Sequence, residues 1–212
     1  MRCFARWKTS DKYGLIFRDQ TILQFGDSWN LLASIVLHNP GSAEPIKGSA
    51  TYDDYLQSNN LPFYVSDNCS SYYKFKTDPL MKYLHRLYLQ KNAGGVLKLY
   101  NLFNLKNQDS SDALKQFRAH RNHPDMFTAP EDIRFGEAPV VIATGSNVAK
   151  DNELGEELKT YISLADKDRL FSLSKVDSRL FAITSVSPDK EGMINSYHPS
   201  FTFKYGNKTV WQ

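Results

Sequence analysis

The sequence predicts an α/β domain with a central, mainly parallel β-sheet flanked by helices, on three observations. Short apolar, β-branched runs at Leu31 to Leu37, Val96 to Phe103 and Pro139 to Thr144 have the composition of strands covered on both faces. Between them lie segments with apolar residues at helical spacing, the alternation that calls for parallel pairing. The length of 212 residues supports one sizeable core, so residues 1–212 are expected to form a single domain.

The elements follow in order. The stretch "YGLIFRDQTILQFG" alternates apolar and polar residues, which predicts an N-terminal hairpin or edge strand with its turn near Arg18 and Asp19. "LLASIVL" is the first covered strand. From Gly41 to Ser71 the chain is rich in Ser, Asn, Asp, Gly and Pro, and a segment of that length is expected to be functional or partly helical. Asp78-Pro79 opens a helix carrying Leu80, Leu84 and Leu87, because Asp caps the N-terminus and Pro fits its first position. Gly94-Gly95 ends that segment before the second strand. "SSDALKQFRAH" predicts a capped helix from Ser110 or Ser111, and Gly145-Ser146-Asn147 turns the third strand into a helix with Leu154, Leu158 and Ile162. "RLFSLSKVDSRLFAITSVSP" predicts two β-segments joined at Asp177-Ser178, and a polar linker delivers "YHPSF".

Composition narrows the function classes. Hydrophobic residues at 41% and charged residues at 23% fit a soluble globular protein. The net charge of +3 permits contact with nucleic acid without the excess of a coating protein. Cys3 and Cys69 make neither a metal spacing nor a disulfide framework, so a reducing cytoplasm is the expected compartment. No apolar run is long enough to span a bilayer and no signal peptide leads the sequence, so no membrane partner is expected. His120, His123 and Asp125 lack the glutamate of a zinc helix, and no metal is expected. Gly94-Gly95 precedes its strand instead of following it, which removes a dinucleotide fingerprint and, with it, the case for an organic cofactor. Lys115, Arg118 and Arg121 read as a solvated helix face.

In open parallel sheets, ligands bind outside the carboxyl ends of the strands. Four polar elements are expected there: "HNPG" at 38 to 41, Asn101 in "GVLKLYNLF", "TGSN" at 144 to 147, and "YHPSF" at 197 to 201. In this order they resemble the motifs of the uracil-DNA glycosylase superfamily, across roughly Leu31 to Phe203. Thr144 stands where that superfamily usually has Trp, and Asn39 where some members have Asp.

The resemblance implies a three-layer uracil-DNA glycosylase-like fold and a monofunctional DNA glycosylase acting on a flipped pyrimidine. His198 would donate a hydrogen bond to the base O2, and Asn39 would hold the attacking water through its side-chain carbonyl. Asn101 would read the Watson–Crick edge, and Phe63 or Tyr64 would stack on the extruded base. Gly41 would leave the C5 side open, where strict uracil enzymes place a Tyr. Ser146 and Ser200 would contact phosphates, and Phe201 would wedge into the vacated stack. None of the residues given a role here is a lysine, so water is the expected nucleophile. The implied partner is DNA, the protein a monomer, and the process base excision of uracil or defence against phage DNA with hypermodified cytosine. The alternative is a non-catalytic nucleic-acid or nucleotide-binding module on the same fold.

Overall fold

The computed structural model describes residues 1–65, 71–204 and 208–211. Strands β1 (Arg2–Ser10) and β2 (Leu15–Phe25) form an antiparallel hairpin, and β3 (Leu31–Leu37) enters the middle of the sheet. Helix α1 (Asp53–Ser58), strand β4 (Tyr72–Lys74) and helix α2 (Pro79–Leu89) lead to β5 (Gly95–Asn101). Helix α3 (Ser110–Ala119) precedes β6 (Val140–Ile142), and α4 (Asn152–Leu164) precedes β7 (Leu170–Lys175). Strand β8 (Leu180–Ser185), helix α5 (Ser200–Lys204) and β9 (Lys208–Trp211) follow.

These strands make one nine-stranded sheet in the order β4-β1-β2-β5-β3-β6-β7-β8-β9. Only its centre, β5-β3-β6-β7, is uniformly parallel. On one side β4, β1 and β2 join antiparallel to β5, and on the other β8 runs antiparallel to β7 with β9 parallel to β8. The sheet is therefore mixed and not mainly parallel. A period-two pattern records which face a residue occupies but not the direction of its neighbour, and a tight turn suffices for an antiparallel pair.

The parallel pairs need crossovers, and the crossovers cover both faces. Met81, Leu84, Leu87 and Tyr88 of α2 pack on Ile35, Leu37, Leu97, Leu99 and Val141. On the opposite face, Ala113 and Phe117 of α3 and Leu154, Leu158 and Tyr161 of α4 pack on Val36, Tyr100, Val140 and Ile142. Aspartates start all three helices: Asp78 Oδ1 accepts from Met81 N–H, Asp109 Oδ1 from Asp112 N–H, and Asp151 Oδ1 from Glu153 and Leu154 N–H. A third cluster of Phe4, Ile22, Leu56, Phe63, Tyr72 and Val96 closes the amino end of β5.

The turn expected near Arg18 and Asp19 lies instead at residues 11–14, and β2 runs straight through both residues. Their polarity marks burial in an ionic network, not a bend. Arg6 Nε and Nη2 donate to Asp19 Oδ1 and Oδ2 at 3.0 and 2.6 Å, and Nη2 also reaches Asp132 Oδ2 at 3.0 Å. Tyr64 Oη donates to Asp132 Oδ1 at 3.0 Å, while Lys98 Nζ donates to the Tyr64 carbonyl at 2.9 Å. Lys98 is 1% exposed and lies over the Phe63 and Tyr100 rings. Burial lowers its amine from 10.5 to about 7, against the opposing pull of Asp132.

That shift fixes a pH dependence. Below about pH 7 the amine is charged in both folded and unfolded chains, so the folded state carries the full desolvation cost. Between there and 10.5 the unfolded chain binds the extra proton, and stability rises with pH. Lys98→Met is expected to stabilise the protein by roughly 1–3 kcal/mol at pH 6 and to lose that advantage toward pH 10. Thermal denaturation across this range measures it, and a pH-independent difference would contradict the assignment.

Candidate active site

The site follows from strand order. The chain leaves β3 for β5 on one side, then crosses back to β6 on the other, so the order reverses between β3 and β6. A crevice forms outside the carboxyl ends at such a reversal. Leu37 pairs with Asn101, and Val36 with Ile142. Backbone bonds extend both ladders: Leu102 N–H donates to Leu37 O at 3.0 Å and Ala143 N–H to Val36 O at 2.9 Å.

Residues 38–41 cross this end and are tied from two sides. The His38 ring meets Phe103 edge-on at 5.4 Å, and burial lowers its pKa against the opposing charge of Asp151. Asn39 Nδ2 donates to the Asn107 carbonyl at 3.0 Å, which leaves Oδ1 as its acceptor. The Pro40 carbonyl accepts from Arg18 Nη2. Gly41 has a φ of 73°, in the left-handed region, and an added Cβ would lie 3.5 Å from Asp78 Oδ2. The backbone alone therefore accounts for glycine here, without any demand for space at a base C5.

Asn101 is buried beside this loop. Its carbonyl accepts from Tyr161 Oη at 2.8 Å, while its side-chain Oδ1 has no hydrogen-bond partner among the described residues. Beyond β6, the Thr144 N–H donates to Ser196 Oγ at 3.1 Å, and their hydroxyls lie 3.2 Å apart. Tyr197 N–H donates to Leu173 O at 2.7 Å, so the segment at 196–198 is laced to the ends of β6 and β7. This brings His198 against Gly145, whose φ of 108° carries the chain around the turn; an added Cβ would stand 3.7 Å from His198 Cβ.

The His198 ring is held by its own loop. Ser200 N–H donates to Nδ1 at 3.2 Å, and Ser200 Oγ lies 2.8 Å from the same atom. An Nδ1 that accepts places the proton of a neutral imidazole on Nε2, as a donor. Ser146 and Ser200 are half-buried, and Phe201 projects at the start of α5 with 46% of its surface exposed. The structure thus gathers Asn39, Gly41, Asn101, Ser146, His198, Ser200 and Phe201 at one end of the sheet.

Phe63 and Tyr64 are not in this group. Phe63 is a core residue of the cluster with Phe4 and Val96, toward the amino end of β5, and Tyr64 belongs to the network with Asp132 and Lys98. Phe63 thus closes the core and Tyr64 is bound to Asp132, so neither ring stands with the residues at this end of the sheet to stack on a base. Conversely, Arg18, Trp7 and Phe75 border the loop unannounced. Arg18 Cζ lies 5.2 Å from the Phe75 ring and 5.6 Å from Trp7. The available signal was the run Arg18-Asp19-Gln20 inside an otherwise apolar strand.

A cleft of about 470 Å³ lies elsewhere, lined by residues that include Lys12, Tyr13, Arg118, His120, Arg121 and His123. Arg118 pairs with Asp151, and Arg121 with Glu153, which offsets its positive character. Among the described residues, no group of His, Cys, Asp or Glu side chains is arranged to hold a metal, and no helix is long and apolar enough to cross a membrane. Cys69 lies outside the described residues. No protein-family model, curated protein or solved structure matches the chain.

Ser196 is the side chain that joins the His198 loop to β6. Ser196→Ala leaves the buried Thr144 N–H and hydroxyl short of a partner, and is expected to cost about 1–2 kcal/mol in chemical denaturation. An unchanged midpoint would show that the loop is held by other contacts.

Proposed function

We propose that the protein is a monofunctional DNA glycosylase that hydrolyses the N-glycosidic bond of a flipped uracil or 5-modified pyrimidine and leaves an abasic site. The observation that carries this reading is the held ring of His198 beside Gly145, at the same sheet end as Asn39 and Asn101. A three-layer domain with four parallel strands at its centre supports the uracil-DNA glycosylase-like fold.

The chemistry uses these groups in two places. As the bond breaks, the glycosidic electron pair moves to the base and positive charge grows on the sugar. The Nε2–H of His198 donates to the base O2 and stabilises the developing anion, a role in which one donor contributes roughly 3–4 kcal/mol. Asn101 supplies Oδ1, unpaired among the described residues, as an acceptor for a base N–H. With its amide fixed on Asn107, Asn39 offers Oδ1 to orient the water that attacks the sugar carbon. An amide takes no proton, so the water proton passes to solvent. The base would be stacked by an aromatic other than Phe63 or Tyr64, and Phe201 is the exposed ring that suits a wedge.

Binding without cleavage is a second reading, favoured by the lack of any carboxylate within the four motifs. Base release from oligonucleotides carrying uracil, thymine, cytosine, hydroxymethylcytosine or glucosylated hydroxymethylcytosine separates the two. The glycosylase leaves alkali-labile sites on at least one substrate, and borohydride traps no protein–DNA adduct. His198→Ala is expected to slow release about 100- to 1,000-fold with DNA binding retained. Asn39→Ala is expected to slow it about 10- to 100-fold. DNA binding without release from any substrate supports the second reading, and neither binding nor release overturns both.

A further inference from the structure

We infer that Arg18 and Trp7 form an oxyanion subsite beneath the 38–41 loop, which takes a carboxylate or phosphate group of the ligand. The inference rests on the proposed function only for the identity of the molecule that carries the anion.

Arg18 is 3% exposed. It carries five N–H donors, and among the described residues its hydrogen bond runs from Nη2 to the Pro40 carbonyl. Nε and Nη1 are buried with no hydrogen-bond partner, and no carboxylate forms an ion pair with the guanidinium among the described residues. The rings of Phe75 and Trp7 flank it, and the indole Nε1 of Trp7 is likewise buried and unpartnered. Trp7 and Arg18 are cross-strand partners, so their side chains share one face of the sheet.

Three buried donor atoms without a hydrogen-bond partner among the described residues make an unusual interior. A single water offers two acceptor sites, whereas a carboxylate or phosphate offers at least four along with the missing charge. Burial also lowers the Arg18 pKa to about 10, with Asp78 and Cys3 opposing, so nearby carboxylate charge does not make up for lost water. The set shares its face of the sheet with Asn101. Strand alternation puts Asn101 on the α2 side with Leu97 and Leu99, where Trp7 also packs, and its Oδ1 is the unpaired acceptor at that end. A molecule with an N–H donor and an oxyanion satisfies both. Trp7 is half-buried.

The test is binding to the full-length protein at matched ionic strength, by calorimetry, of inorganic phosphate, deoxyuridine, deoxyuridine monophosphate and 5-carboxydeoxyuridine. The anionic nucleoside that fits is expected to bind at least tenfold tighter than deoxyuridine. Preference for the monophosphate identifies a nucleotide phosphate as the source, and preference for the 5-carboxyl compound identifies a base substituent. Trp7→Phe keeps the ring, removes one donor and is expected to reduce the preference about fivefold; Arg18→Met abolishes it. If Arg18→Met does not fold, Trp7→Phe decides. Equal binding of all three nucleosides, or a preference that survives Trp7→Phe unchanged, overturns the subsite. Base release from uracil-containing DNA is followed in parallel. Release without anion preference removes the subsite and leaves the glycosylase, and anion preference without release does the reverse.

Discussion

Strand β3 is hydrogen-bonded on both edges by parallel neighbours, β5 and β6. Parallel pairing forces the chain to return to the starting end of the sheet before each new strand, so three strands deliver their loops to one edge. Because the return from β5 to β6 crosses over β3, the loops after β3 and β6 diverge and leave a crevice. The apolar run Leu31–Leu37 is thus more than core. It sets the axis about which Asn39, Asn101 and Gly145 are arranged, and α2 on one face with α3 and α4 on the other keep that axis rigid.

Polar bonds then lock what the apolar layers position. Arg6, Asp19 and Asp132 join the N-terminal hairpin to the connection between α3 and β6, at the cost of burying charge. Thr144 and Ser196 fasten the C-terminal segment to β6, and Asn107 and Arg18 hold the loop at 38–41 from opposite sides. Each tie connects residues far apart in sequence. The consequence is a site assembled on strand ends and short anchored loops, which suits chemistry that depends on orienting a water and a donor.

Much of the fold was legible in the sequence, and for identifiable reasons. The strands read at 31–37, 96–103 and 139–144, which the structure has at 31–37, 95–101 and 140–142, the caps at Asp78 and near Ser110, and the hairpin at Asp177-Ser178 depend on local pattern and capping chemistry, which neighbours in sequence carry. Arg18 and Asp19 misled because a buried ionic residue in a strand looks the same as a turn residue until its partner is known. Phe63 and Tyr64 misled in the opposite sense: within a polar loop they resembled ligand contacts, but their surroundings are Phe4, Val96, Lys98 and Asp132. Gly41 was read as leaving space at a base C5, whereas its positive φ supplies a backbone reason for glycine at that position.

By itself the sequence determined the α/β class, the order of the four polar motifs and the residue types available at each, since these are properties of local periodicity and composition. Only the tertiary structure decided that β2 and β8 flank the parallel centre antiparallel to it, that Ser196 ties the His198 loop to Thr144, and that Arg18 and Trp7 stand under the loop with donor atoms unpartnered among the described residues. The physical reason is that hydrogen bonds, ion pairs and strand direction are settled between residues tens of positions apart, where the pattern of one segment holds no record of the segment that will face it.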